Sequence, residues 1–120
     1  MSSIEGMYIF ASGSIDDPAA VENGGIVILE TGRVMGGDSA MAYLGTYEFA
    51  QGRFGARVRS WKWNVAYDGE NVFNMSGEID HHAIFEGERR ADDVMVGHLF
   101  SEDKPEAKLP AYLRKITDLP

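Results

Sequence analysis

Arg33-Val34-Met35-Gly36-Gly37-Asp38-Ser39-Ala40-Met41-Ala42-Tyr43-Leu44-Gly45-Thr46-Tyr47 is the stretch whose reading decides the fold. It follows an apolar run, Gly25-Ile26-Val27-Ile28-Leu29-Glu30, and the turn signal Thr31-Gly32. Two adjacent glycines, Gly36 and Gly37, permit backbone angles and a closeness of packing that side chains forbid. Asp38 and Ser39 are suited to bond nearby backbone amides and start a turn or one helical turn. After them the chain resumes a strand-like run that ends at Tyr47. Asp38 is the sole charged residue between Gly36 and Tyr47, and no Lys, Arg or His lies there. The segment reads as a strand broken by a fixed corner, an architectural device more than a catalytic loop.

Outward from this corner, strand signals dominate. Met7-Tyr8-Ile9-Phe10-Ala11 and Ile26 to Leu29 are short apolar runs without alternation, which suggests burial on both faces. Ala40 to Phe49 gives a further strand, bounded by Gln51-Gly52. Phe54, Ala56 and Val58 alternate with Arg53, Arg57 and Arg59, the pattern of a half-buried antiparallel strand. Tyr67 to Asp80 reads as loop, anchored by Val72, Phe73 and Met75. Ala83 to Gly87 and Val94 to Phe100 flank the polar Arg89-Arg90-Ala91-Asp92-Asp93 at hairpin spacing. Ser101 to Lys108 is a charged loop, and Leu109 to Ile116 a last strand with Pro110 near its start, where a missing donor is tolerated. Asp17-Pro18-Ala19-Ala20-Val21-Glu22 suits a single helical turn, and no longer window has helical periodicity. The expected fold is all-β: one domain over residues 1–120, an antiparallel up-and-down barrel or sandwich of roughly seven or eight strands.

Composition narrows the function. The chain has 120 residues, 44% of them hydrophobic, with 14 glycines and no cysteine. That suits a single core with many turns and excludes disulfides and thiolate metal sites. No apolar run approaches the ~18 residues of a membrane helix, and no signal-peptide pattern opens the chain, so a cytoplasmic protein is expected. A formal charge of −8 disfavours direct contact with nucleic acid. It suits a basic partner, such as a DNA-binding activator, and serves solubility equally well.

Catalytic and metal-binding patterns are weak. In Asp80-His81-His82 the two imidazoles would point to opposite faces of a strand and converge on one ion only in a loop. A turn between strands explains the segment without a metal. There is no G-x-S-x-G elbow, no Cys nucleophile, and no phosphate-binding loop, since Gly36-Gly37 lacks the Lys and Ser/Thr that should follow. No catalytic residue, metal or cofactor is expected, and the chain reads as a binding protein.

Two stripes are candidates for binding. On a regular strand Arg57, Arg59, Trp61 and Trp63 share one face, opposite Phe54, Ala56 and Val58. Trp and Arg are enriched at energetic hot spots, so an outward stripe would suit a partner. A bulge near Ser60 would instead turn both indoles inward. The second stripe is Tyr8, Phe10, Val27 and Leu29. If Met7, Ile9, Ile26 and Ile28 face the interior, these four lie outside and suggest a dimer interface.

The turn followed by Gly36-Gly37-Asp38-Ser39-Ala40, a Tyr, and Gly45-Thr46-Tyr47 resembles the GrlR-like family of bacterial negative regulators of type III secretion. Glu5-Gly6-Met7-Tyr8 and the closing Leu109-Pro110-Ala111-Tyr112-Leu113 are similar in kind and place. The resemblance spans most of the chain, with Gly36-Gly37-Asp38 its specific part. It implies a lipocalin-like barrel, a homodimer, and regulation by sequestering a transcriptional activator. The founding regulator of the family carries a run of alternating acidic residues in a loop that here reads Glu48-Phe49-Ala50-Gln51-Gly52, with one acid. Its partner-binding surface is therefore not transferable. A second function fits the same fold: a carrier holding a small apolar ligand in a hollow barrel interior. A hydrolase or isomerase on the same barrel is a third, weaker reading. Co-purified ligand would favour the carrier, and a copurifying DNA-binding protein the regulator.

Overall fold

Short segments rich in β-branched and aromatic residues alternate with turn residues, a composition that favours extended backbone with side chains projecting to both faces. A computed structural model describes residues 3–13, 15–16, 24–71, 73 and 75–120. Eight strands and no helix occur among them: β1 (Gly6–Ser12), β2 (Gly24–Glu30), β3 (Arg33–Gly37), β4 (Met41–Ala50), β5 (Arg53–Lys62), β6 (Asp80–Ala91), β7 (Val94–Ser101) and β8 (Leu109–Thr117). Each strand pairs antiparallel with the next, and β8 returns to β1, so the sheet closes in sequence order. This is the expected all-β, up-and-down, lipocalin-like barrel. Closure leaves no unpaired sheet edge. The single turn expected at Asp17 to Glu22 and the anchor Val72 lie outside the described residues.

The two ends of the barrel differ. At one end the connections are tight. Thr31 (φ 48°) with Gly32 (φ 77°), and Gln51 (φ 54°) with Gly52 (φ 78°), form two-residue loops with both central residues left-handed. That geometry matches the right-handed twist of the strands it joins. The chain termini close the same end. The Tyr8 hydroxyl donates to the Ile4 carbonyl at 2.6 Å, and Lys115 Nζ donates to the Ser3 carbonyl and the Asp118 carboxylate. Burial pushes the Tyr8 hydroxyl up to about 12, so it stays a donor. At the other end lie the Asp38–Ala40 corner, the long connection between β5 and β6, and the charged segment before β8.

Inside, Tyr8, Val27, Leu29, Val34, Phe54, Phe85, Met95 and Leu113 form the core, with Phe10 packed edge-on against Tyr43 and Phe85. This reverses the phase expected for β1 and β2. Tyr8, Val27 and Leu29 are 1%, 5% and 1% exposed, whereas Ile9 and Ile26 on the outer face are 39% and 38% exposed. Tyr8, Phe10, Val27 and Leu29 therefore line the interior and form no outer dimer surface. The expected burial of both faces is also corrected. A continuous apolar run carries no parity of its own. What sets the phase is the need to cap the Tyr8 hydroxyl at the closed end and the pairing of Val27 with Gly36 across the β2–β3 ladder.

Candidate functional site

The open end is organised by the corner that the sequence singled out. β3 stops at Gly37 and β4 starts at Met41. Asp38 Oδ1 accepts from the Ala40 and Met41 amides at 2.8 and 2.7 Å, and Asp38 N–H donates to the Met41 carbonyl at 2.9 Å. Its second oxygen accepts from the Tyr43 hydroxyl. Burial first, and then this bond, raise the Tyr43 hydroxyl above its ordinary range, so it too remains a donor. The expected Asp-centred turn is present. The expected unusual backbone is not: neither Gly36 nor Gly37 has a positive φ. Both glycines answer to closeness instead, since a Cβ on Gly36 would lie 2.0 Å from the Ile26 carbonyl oxygen of β2.

Beneath this corner the barrel is hollow. A cavity of about 240 Å³ has apolar walls that include Val27, Leu29, Val34, Phe54, Phe85 and Leu113. Its polar lining comes from the end with long connections: Asp38, Ser39, Ser60, Glu70 and Asn71. Tyr43, Ser60 and His81 stand at one level across β4, β5 and β6, because Ser60 pairs with Tyr43 on one side and His81 on the other. His81 Nδ1 is 3.0 Å from Ser101 Oγ, Nε2 is 3.4 Å from Asn71 Nδ2, and the ring meets Phe73 edge-on at 5.1 Å. Burial is the main cause that lowers the His81 pKa and favours the neutral ring. Asn71 Oδ1 accepts from the Phe73 and Met75 amides, which fastens the β5–β6 connection over this end.

Asp80, His81 and His82 are not in a turn, contrary to expectation. They begin β6, paired with Trp61, Ser60 and Arg59. His81 points in and His82 out, so the two rings diverge, and no cluster of metal-ligating side chains occurs among the described residues. The phase of β6 is set by its long partner β5, which the loop-like composition before Asp80 concealed.

The β5 stripe lies outside. Pairing of β5 with β4 and β6 runs without a register shift, so the bulge that would invert the indoles is absent. Arg57, Arg59 and Trp61 face outward, and Trp63, just beyond the strand, is 55% exposed. Trp63 Nε1 donates to the Asp38 carbonyl at 3.1 Å, tying the stripe to the corner. The Arg59 guanidinium lies 4.5 Å from the Trp61 ring centroid and grips Asp80 through two bonds of 3.0 and 2.9 Å. Arg57 holds Glu102 at 2.7 Å. These bonds hold both carboxyls below their usual range. Sequence reasoning missed both acidic partners, which are contributed from 21 and 45 residues away.

Two apolar rows adjoin the stripe on the outer face. Met7, Ile28, Met35 and Leu44 align across β1 to β4 and end at Arg59. Ile9, Ile26, Gly37 and Ala42 form the second row and end at Trp61. No helix among the described residues is long and apolar enough to cross a membrane. Comparison of the sequence with protein-family models and with curated proteins finds no significant match in either.

Proposed function

We propose that the protein is a regulatory binding protein that sequesters a transcriptional activator by protein–protein contact. The observation that carries this reading is the unbroken register of β5, which keeps Arg57, Arg59, Trp61 and the adjoining Trp63 together on the outer face. Trp and Arg dominate the energetic centres of protein interfaces. Both arginines are already paired with carboxylates, so the stripe offers flat aromatic and guanidinium surface more than free positive charge. The charge of −8 over the whole chain favours a basic partner and opposes direct binding to DNA. The resemblance of the Gly36-Gly37-Asp38 corner to GrlR-like regulators of type III secretion points the same way, and a cytoplasmic location is part of the proposal.

A homodimer accompanies this reading, with the interface on the opposite side chains from those first expected. Met7, Ile9, Ile26 and Ile28 give the outer face of β1 and β2 an apolar character that a second copy would cover. The dimer uses β1 and β2, and the activator uses β4 to β6.

The test employs purified wild type and an Arg59→Ala/Trp61→Ala variant as baits in extracts of the native organism, with far-UV circular dichroism to verify the barrel. Wild type captures a basic DNA-binding protein. Against that purified partner the variant binds at least roughly thirtyfold more weakly, the equivalent of about 2 kcal/mol for one hot-spot truncation. Equal affinity of the two forms refutes the assignment of the surface.

A further inference from the structure

The cavity inside the barrel is separate from the outer face on which the proposed regulatory contact depends. Its apolar end is built by Leu29, Val34 and Phe54, close to the tight hairpins. Its polar end holds Asp38, Ser60 and Glu70. Ser60 is 7% exposed and lines the cavity. No buried side-chain nitrogen or oxygen among the described residues is left without a partner, so the Ser60 hydroxyl is a wall group open to the cavity, able to donate to or accept from a polar ligand atom. Glu70 also lines the cavity, at its solvent-exposed mouth, where its carbonyl accepts from the Tyr67 hydroxyl at 2.7 Å. The Asp38 carboxylate accepts three hydrogen bonds from the corner and adds a second negative charge at the same end. No Lys or Arg is among the described lining residues.

We propose that the barrel interior is a binding site for a small amphipathic molecule, with an apolar ring or short chain as its body and a cationic amine as its head. The body occupies the apolar end, and the head meets Ser60 and Glu70. An apolar cavity on the order of 150 Å³ accepts a single aromatic ring. At about 240 Å³ this one has room for a fused or substituted ring, and falls short of most drug-sized ligands. The two acids and the lack of a lining base select against fatty acids and other carboxylates, because the anionic head would lie beside like charge with no counter-ion.

The experiment compares two probes that share one body: 1-naphthylmethylamine and 1-naphthoate, titrated into the full chain by calorimetry and by methyl NMR. The amine binds and shifts the methyl resonances of Val27, Leu29 and Leu113. The carboxylate binds at least about tenfold more weakly. Ala83→Leu, which puts bulk into the cavity from β6, abolishes binding of the amine. Glu70→Gln changes an exposed side chain and leaves the fold intact, so it serves even if Ala83→Leu fails to fold. It narrows the preference for the amine to within about threefold. The proposal is overturned if the amine does not bind, if the carboxylate binds as well, if shifts are confined to outer residues such as Leu44, or if Glu70→Gln leaves the preference unchanged.

Discussion

Replacing Gly36 by Ala tests the closeness of β2 and β3 at the corner. An ideal Cβ there lies 2.0 Å from the Ile26 carbonyl oxygen, 2.8 Å from Val27 Cα and 2.9 Å from the Ile26 carbonyl carbon. All three are backbone atoms, so no rotamer change relieves the overlap. The two strands must separate, which strains the Ile26–Gly37 and Val27–Gly36 pairs. Overpacking costs roughly 1–3 kcal/mol, and a weakened ladder bond adds about 1. The sum is about 3 kcal/mol. In a domain of this size each kcal/mol lowers Tm by about 4 °C, so Gly36→Ala melts about 12 °C below wild type. Gly37→Ala is milder, at about 1–2 kcal/mol, because its Cβ meets one carbonyl oxygen at 2.7 Å. Gly55 has ordinary φ, and a Cβ added there meets nothing within 4 Å, so Gly55→Ala is neutral or stabilising by up to about 1 kcal/mol. Urea and thermal unfolding of the three variants measure the order. A Gly36→Ala protein within about 0.5 kcal/mol of Gly55→Ala would refute the close-approach reading.

Two further outcomes follow from the interior and the outer face. His81 is held neutral by burial, with Asp103, His82 and Asp80 as its charged surroundings, so its folded pKa lies below the unfolded value of about 6.5. The unfolded chain takes up this proton first as pH falls, and stability present above about pH 6.5 declines below it, by at most about 1.4 kcal/mol per pH unit. His81→Gln flattens the decline of Tm between about pH 7 and about pH 5. Asp80 and Glu102, whose carboxyls are held low by Arg59 and Arg57, lose their contribution only near and below about pH 4, outside that window. An identical slope in the variant excludes His81 as its source. For the dimer, Ile9→Glu with Ile26→Glu puts charges on a directly paired outer position and leaves the interior untouched. Wild type elutes as a dimer in size-exclusion chromatography with light scattering, and the variant as a folded monomer. A wild type that is monomeric at micromolar concentration refutes the interface.

The local elements were legible in the sequence because each rests on nearest-neighbour chemistry. Thr31-Gly32 and Gln51-Gly52 mark two-residue turns, since glycine accepts the left-handed angle that such a turn requires. Asp38 announces a turn because its carboxylate reaches amides two and three residues on. The phase of β5 was readable because arginines alternate with apolar residues, so only one face could be buried. An all-β chain with a corner and a half-buried β5 therefore follows from the order of residues alone. The direction of β1 and β2 does not. Met7 to Phe10 and Ile26 to Leu29 are apolar at every position, and transfer from water favours either set of side chains nearly equally. Tertiary structure decides it, by capping the Tyr8 hydroxyl on Ile4 and by bringing Gly36 against β2 where no side chain fits. The cavity is likewise invisible in the sequence, because its walls come from strands distant along the chain and its volume is what remains after they close. Ion pairs such as Arg57 with Glu102 join residues 45 positions apart, and only the closure of the barrel places them in contact.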